Sequence, residues 1–188
     1  MAVQLNISRT PVREALARLE IEGLVKRVPR RGAIVAPVEL DEVDEIYELR
    51  AALESLVAKR ACERASEAEI EEMDAVLRRA QSCLEANDLD GNQRSTVEFH
   101  RLLNRASRSP RLIELLRTLE DRLVVFRYRG VRYPGRAASA MRQHWGILEA
   151  LRRRDAAEMC RWVVEHAEEG RQVAIKTHLE EARSRRLG

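Results

Sequence analysis

The apolar positions of this chain fall into two unlike patterns. Near the start they are few and short in range. Val12, Ala15, Leu16 and Leu19 recur at helical spacing. Pro11 suits a first helical turn, where its missing N–H is no loss. Ser8 or Thr10 is placed to cap that helix, and Gly23 to stop it. Leu24 to Val28 then predicts a short strand, Pro29-Arg30-Arg31-Gly32 a turn, and Ala33 to Val38 a returning strand. The head is a helix followed by a basic hairpin.

Beyond it the period is helical throughout. Val43, Ile46, Leu49, Leu53, Leu56 and Val57 make one face of a helix over about 40–64. Ser66 with Glu69 is a capping box opening a helix to about 86. Asn87 to Gly91 predicts a break, and Val97, Phe99, His100, Leu102 and Leu103 a helix over about 93–107. Ser109-Pro110 caps and opens a helix to about Arg129, and Tyr133-Pro134-Gly135 breaks the chain. Helices over about 136–153 and 155–183 follow, the last opened by Asp155 with Glu158 three residues on. Six such helices with short loops predict an all-α helical bundle. The boundary falls near Pro37, dividing the chain into domains 1–38 and 39–188.

Composition sharpens this. Hydrophobic residues are 45% of the 188, enough for a core, but aromatics are only 4%. The core must therefore be built from Leu, Val, Ile and Ala, as in helical proteins. No apolar run approaches the roughly 18 residues of a membrane span, and no signal-peptide pattern opens the chain. A cytoplasmic location is expected. Cys62, Cys83 and Cys160 are far apart and odd in number, which points to free thiols.

Charge separates the two regions further. Residues 1–38 hold seven Lys or Arg and three acids, a net +4, which leaves the other 150 residues at −1. A basic head on a near-neutral body suggests a polyanion partner for the head alone. Short hydroxyls such as Ser8 and Thr10 can hold phosphates, and Arg9 and Arg13, four residues apart, share a helix face. Arg30, Arg31 and Gly32 at a hairpin tip suit contact with a duplex backbone or minor groove. The alternative is a solvated basic helix with ordinary caps. In the body, His100, His144 and His166 fall mid-helix on three separate helices. Spacing alone reads each first as a core or surface residue, and Trp145 and Trp162 as packing. His178 is expected to face solvent.

The run SRTPVREALARLEIEGLVKRVPRRGAIV resembles the winged helix-turn-helix of the GntR family of bacterial transcription regulators. That resemblance implies a recognition helix opening at Ser8 and a wing ending at Arg31-Gly32, with Ser8, Arg9, Thr10, Arg13, Arg31 and Gly32 as contacts to double-stranded operator DNA. The family's domain carries a helix and most of a second before this motif, whereas seven residues precede Ser8 here. The domain is thus read as partial, and residues 1–188 alone are expected to bind DNA weakly or not at all.

From about Leu40 to Gly170 the chain resembles the FCD ligand-binding domain of the FadR-like branch of that family. EIYELRAALESLVAKRA matches its opening helix, with Arg50 and Glu54 in an R-x-x-x-E arrangement. TVEFHRLLNRAS, HWGILEALRRRD and VVEH match its histidine-bearing segments. The resemblance implies a divalent metal, Zn, Ni or similar, held by His100, His144 and His166. Thr96 stands where the family usually has Asp; a hydroxyl is a weaker ligand and brings no charge, so reduced metal affinity or an extra water is expected. Glu98, two residues along the helix, points away. Arg50 is the candidate for holding the carboxylate of a small organic acid effector, and Thr96 lines the same site. The expected protein is a homodimeric, ligand-responsive, DNA-binding regulator and not an enzyme. Its rivals are a metal-dependent hydrolase, for which no general base is placed by a recognisable motif, and a sensor or dimerisation module that no longer binds DNA.

Overall fold

A computed structural model describes residues 8–28, 32–36 and 40–187, except for the side chains of residues 9, 124–125, 127–129, 181–182 and 184–187. The chain divides into two compact units, Met1–Glu39 and Leu40–Gly188.

The first unit is α1 (Arg9–Ile21), β1 (Val25–Val28) and β2 (Gly32–Val35). Ser8 occupies the N-cap of α1 with extended backbone, but its side chain makes no capping hydrogen bond. Gly23, at φ 72°, ends the helix in the left-handed region that favours glycine. The Leu24 N–H then reaches back to the Leu19 carbonyl at 2.8 Å. The strands pair antiparallel, Val25 opposite Val35 and Val28 opposite Gly32. Glu20 of α1 bonds Arg27 of β1 through both its backbone N–H and its guanidinium. Pro29, Arg30 and Arg31, the expected turn, lie outside the described residues.

The second unit is six helices: α2 (Leu40–Arg64), α3 (Glu67–Glu85), α4 (Leu89–Ala106), α5 (Pro110–Gly130), α6 (Arg136–Arg152) and α7 (Ala156–Leu187). The all-α bundle with its small hairpin is the fold the apolar spacing predicts. The capping box at Ser66 forms as expected, Ser66 Oγ accepting from the Glu69 N–H and Glu69 accepting from the Ser66 N–H. Asp155 accepts from the Glu158 N–H at 2.9 Å and opens α7. Gly135, at φ 79°, turns the chain into α6.

One boundary differs. The break expected through Gly91 ends at Asp88, which caps α4 by accepting from the Gly91 N–H at 2.8 Å. Gly91 lies inside the helix where only a small residue fits: a Cβ there would fall 2.1 Å from the capping Asp88 carboxylate and 2.8 Å from Cys83 Sγ. A glycine selected for close packing looks in sequence like one selected for a turn.

The core is contiguous. Met73 and Leu77 of α3, Phe99 and Leu102 of α4, Ile147 and Leu148 of α6 and Met159 of α7 are buried together, with Trp145 and Trp162 packed against them. Trp162 lies so close over α6 that a Cβ on Gly146 would fall 2.4 Å from its ring. Each such fully buried large side chain contributes roughly 1.5–3 kcal/mol. The cysteines are free, but only Cys62 is buried. Among the described residues, no helix is long and apolar enough to cross a membrane.

Candidate functional site

α4, α6 and α7 each present one imidazole to a common point. The ligand atoms of His100, His144 and His166 all lie within 4.8 Å of one another. His100 Nε2 and His144 Nε2 face each other at 3.1 Å. Phe99, fully buried, buttresses the pair, its ring edge-on to His100 and tilted on His144 at centroid distances of 5.7 and 5.4 Å. Burial holds His166 well below the usual imidazole range, reinforced by His144, Arg136, His100 and Arg50. This favours the neutral ring, in which one nitrogen keeps the lone pair that metal ligation requires. The three residues therefore fit a borderline divalent cation.

The histidines open onto a cavity of about 100 Å³, lined also by Tyr47, Arg50, Thr96 and Arg136. That is small beside the roughly 300–1,000 Å³ of drug-sized ligand sites. Arg50 is only 5% exposed. Its Nη2 donates to Glu54 Oε1 at 2.6 Å, and its guanidinium lies 5.3 Å from the Tyr47 ring centroid. The pair with Glu54 is thus buried rather than the weak surface contact that i,i+4 spacing alone allows. Among the described residues, Arg50 Nε is a buried donor with no hydrogen-bond partner. The Thr96 hydroxyl donates to the Gln93 carbonyl of its own helix at 3.0 Å, and Thr96 lines the cavity. Glu98 pairs with Arg101 and takes no part in the histidine cluster.

Three residues beside this site, Arg136, Ser139 and Gln143, lie outside the segments that carry the resemblance. Arg136, the first residue of α6, is buried; its Nη1 donates to Gln143 Oε1 at 3.2 Å, and its guanidinium lies 3.5 Å from Glu169. Gln143 is wholly buried, and its Oε1 lies 2.9 Å from His166 Nδ1. Arg136, Ser139 and Gln143 fall three and four residues apart, one face of a helix. A polar stripe on a core helix is the one cue that would have marked them. His178, expected to face solvent, is instead half-buried and stacked on Phe126 at 6.0 Å.

In the first unit, Ser8, Thr10 and Arg13 are exposed along the opening of α1, and Gly32, at φ 84°, opens β2. Of the other expected DNA contacts, Arg31 and the side chain of Arg9 lie outside the described residues.

A helical bundle that converges three imidazoles on a small polar cavity, joined in one chain to a basic helix and hairpin, fits a sensor with a nucleic-acid-binding element. The comparisons with known proteins agree. Residues 45–169 match the FCD domain, and residues 1–35 match the bacterial regulatory proteins of the gntR family. The chain belongs to the GntR family of transcription regulators, with an FCD sensor domain. It is 31% identical over 169 residues to the Nta operon transcriptional regulator of Aminobacter aminovorans, covering 88% of this chain and 77% of that one. It is 28% identical over 169 residues to the HTH-type transcriptional repressor RspR of Escherichia coli, covering 90% of this chain and 74% of that protein. The structure of E. coli McbR/YncC shares the fold, with a TM-score of 0.83 at 23% identity over 94% of this chain and 84% of that one. The protein is a ligand-responsive, DNA-binding regulator, and its relatives are transcription regulators rather than enzymes.

Proposed function

We propose that the helical unit senses a small organic acid with the help of a divalent metal, and that this controls operator binding by a homodimer. The convergence of three imidazoles on the cavity that also holds Arg50 carries the reading. His100, His144 and His166 would hold the ion, with Thr96 beside them in place of a carboxylate. A bound cation supplies a Lewis-acidic centre for a carboxylate oxygen. Arg50, already buried and positioned by Glu54, offers its unspent Nε–H to the same anion. Charge favours an anionic effector: Glu54 is engaged by Arg50 and Glu169 by Arg136, so these carboxylates are already committed when a metal brings two positive charges.

Ser8, Arg9, Thr10, Arg13, Arg31 and Gly32 are the proposed DNA contacts, the hydroxyls and Arg31 holding backbone and the helix arginines reaching the groove. Two recognition helices must meet half-sites about one helical turn apart, which motivates the dimer. The effector changes operator affinity only as far as it binds the DNA-competent and incompetent states unequally.

The test is a thermal shift on untagged protein stripped of metal. Zn²⁺ or Ni²⁺ at about 100 times its Kd should add about 2.7 kcal/mol to the stability of the native protein. His144→Ala should abolish the shift. No shift in the native protein, together with no metal retained on purification, would sink the metal reading.

A further inference from the structure

We infer that Gln143 is a positioning residue that locks His166 into the tautomer a metal ligand needs. The inference rests on the metal reading for its purpose, but its physical content stands in the metal-free protein.

A side-chain amide can face either way, and its orientation decides what it offers a neighbour. Here charges at both ends decide it. Arg136 Nη1, always a donor, lies 3.2 Å from Gln143 Oε1. Gln143 Nε2 donates to Glu169 Oε2 at 2.6 Å and approaches Glu165 Oε1 at 3.4 Å. Ser139 donates its hydroxyl to the same Glu169 carboxylate. Reversing the amide would put its NH₂ against a guanidinium and its oxygen against a carboxylate. The oxygen is therefore fixed toward Arg136, and that same oxygen lies 2.9 Å from His166 Nδ1. Nδ1 must carry the proton to satisfy it. Arg136 Nη2 lies 3.3 Å from both Nδ1 and the His166 carbonyl, and the carbonyl accepts from it; a bare Nδ1 would set its lone pair against the closer Gln143 oxygen, so the Nδ1-protonated ring is the one that fits both neighbours.

A neutral imidazole with its proton on Nδ1 has its lone pair on Nε2. Gln143 thus does for His166 what a carboxylate or backbone carbonyl commonly does for a metal-bound histidine. The relay runs from carboxylates at the edge of the bundle to a ligand inside it. It also fastens α6, which carries His144, to α7, which carries His166. Gln143 is wholly buried, so the amide is shielded from bulk solvent.

The test is the ¹⁵N–¹H correlation spectrum of histidine-labelled, metal-free protein. Native His166 should be protonated at Nδ1 and bare at Nε2. Gln143→Met, similar in size but offering only a weak thioether acceptor, should move the ring toward the Nε2-protonated form and weaken Zn²⁺ binding about 10–100-fold. Gln143→Glu, which keeps an acceptor, should restore the Nδ1-protonated form. If Gln143→Met does not fold, Glu169→Gln removes the charge at the far anchor of the amide, which also faces Arg136 and Ser139, and should shift the ring in the same direction by less. A native His166 protonated at Nε2, or a Gln143→Met protein whose His166 stays protonated at Nδ1, overturns the inference. If the tautomers behave as expected while no variant, native included, takes up metal, the lock stands and the metal reading falls.

Discussion

The two units keep their information in opposite places. Among the described residues of the first, none is buried: Val12, Leu16 and Leu19 are half-covered, and Ile21 and Val35 are 87% and 72% exposed. The second holds a contiguous apolar core and buries charged and polar groups as well, among them Arg50, Glu54, Arg136, Gln143 and His144. Burying such groups is costly unless each is paired, so their partners must be placed as accurately as the groups themselves. The head presents side chains outward for another molecule to meet, whereas the body arranges side chains around an internal point. Substitutions should therefore act through stability in the body and through binding in the head.

The strongest way to break that contrast is Phe99→Ala. Phe99 is fully buried, and its ring touches both His100 and His144. Truncating it removes its packing and leaves a cavity, a loss of about 3–5 kcal/mol. Urea denaturation followed by helix signal should show the lower midpoint, and Zn²⁺ affinity should fall because the two imidazoles lose their buttress. A cost below about 1 kcal/mol would mean that packing does not organise the site.

How much of this was legible beforehand follows the same division. Apolar spacing marked the six body helices because a helix face is a local, repeated signal. The three histidines could be placed on separate helices, yet only the matched segments suggested that they meet, since convergence depends on how α4, α6 and α7 pack. Arg136 was hidden among 34 basic residues, because nothing in a composition distinguishes the guanidinium that is buried. Gln143 was overlooked beside His144, although its spacing from Arg136 and Ser139 drew a polar stripe on an apolar helix. Gly91 is ambiguous in sequence because fitting under the Asp88 cap and against Cys83 calls for the same residue as turning a chain.

Acid should reveal a smaller effect at the rim of the body. Arg108 hydrogen-bonds Glu69 through two nitrogens, at 2.7 and 2.8 Å. That contact, aided by the Ser66 N–H and hydroxyl, holds the Glu69 carboxyl down at about 2 against partial burial. A carboxyl depressed on folding stabilises the native state fully above its unfolded value, near 4.5, and loses that stabilisation as pH falls through about 2. Glu69→Gln retains the reciprocal cap, which tolerates Gln, and removes only the charge. Its Tm at pH 7 should fall by about 2–4 °C, the shift that about 1 kcal/mol gives a protein of this size. The difference from native protein should close between pH 4.5 and 2. A gap that persists at pH 2 would assign the effect to the cap instead.

The smallest effect on stability should come from the head, and it is the one that most sharpens the comparison. Arg13 is exposed on α1, four residues beyond Arg9. An exposed side chain away from any cap or core contact changes stability by no more than about 0.5 kcal/mol when truncated, so Arg13→Ala should leave Tm nearly unchanged. Its consequence should appear only against duplex DNA, measured at low salt where weak binding is detectable. If Arg13 meets a phosphate, affinity falls alike for all sequences and the slope of log K against log salt decreases by about one. If it meets a guanine edge, the loss is about 1–3 kcal/mol and confined to sequences carrying that base. A variant that loses Tm without losing DNA affinity would place Arg13 in the fold of the head rather than on its reading face, and the division between an outward-reading head and an inward-reading body would fail at its simplest point.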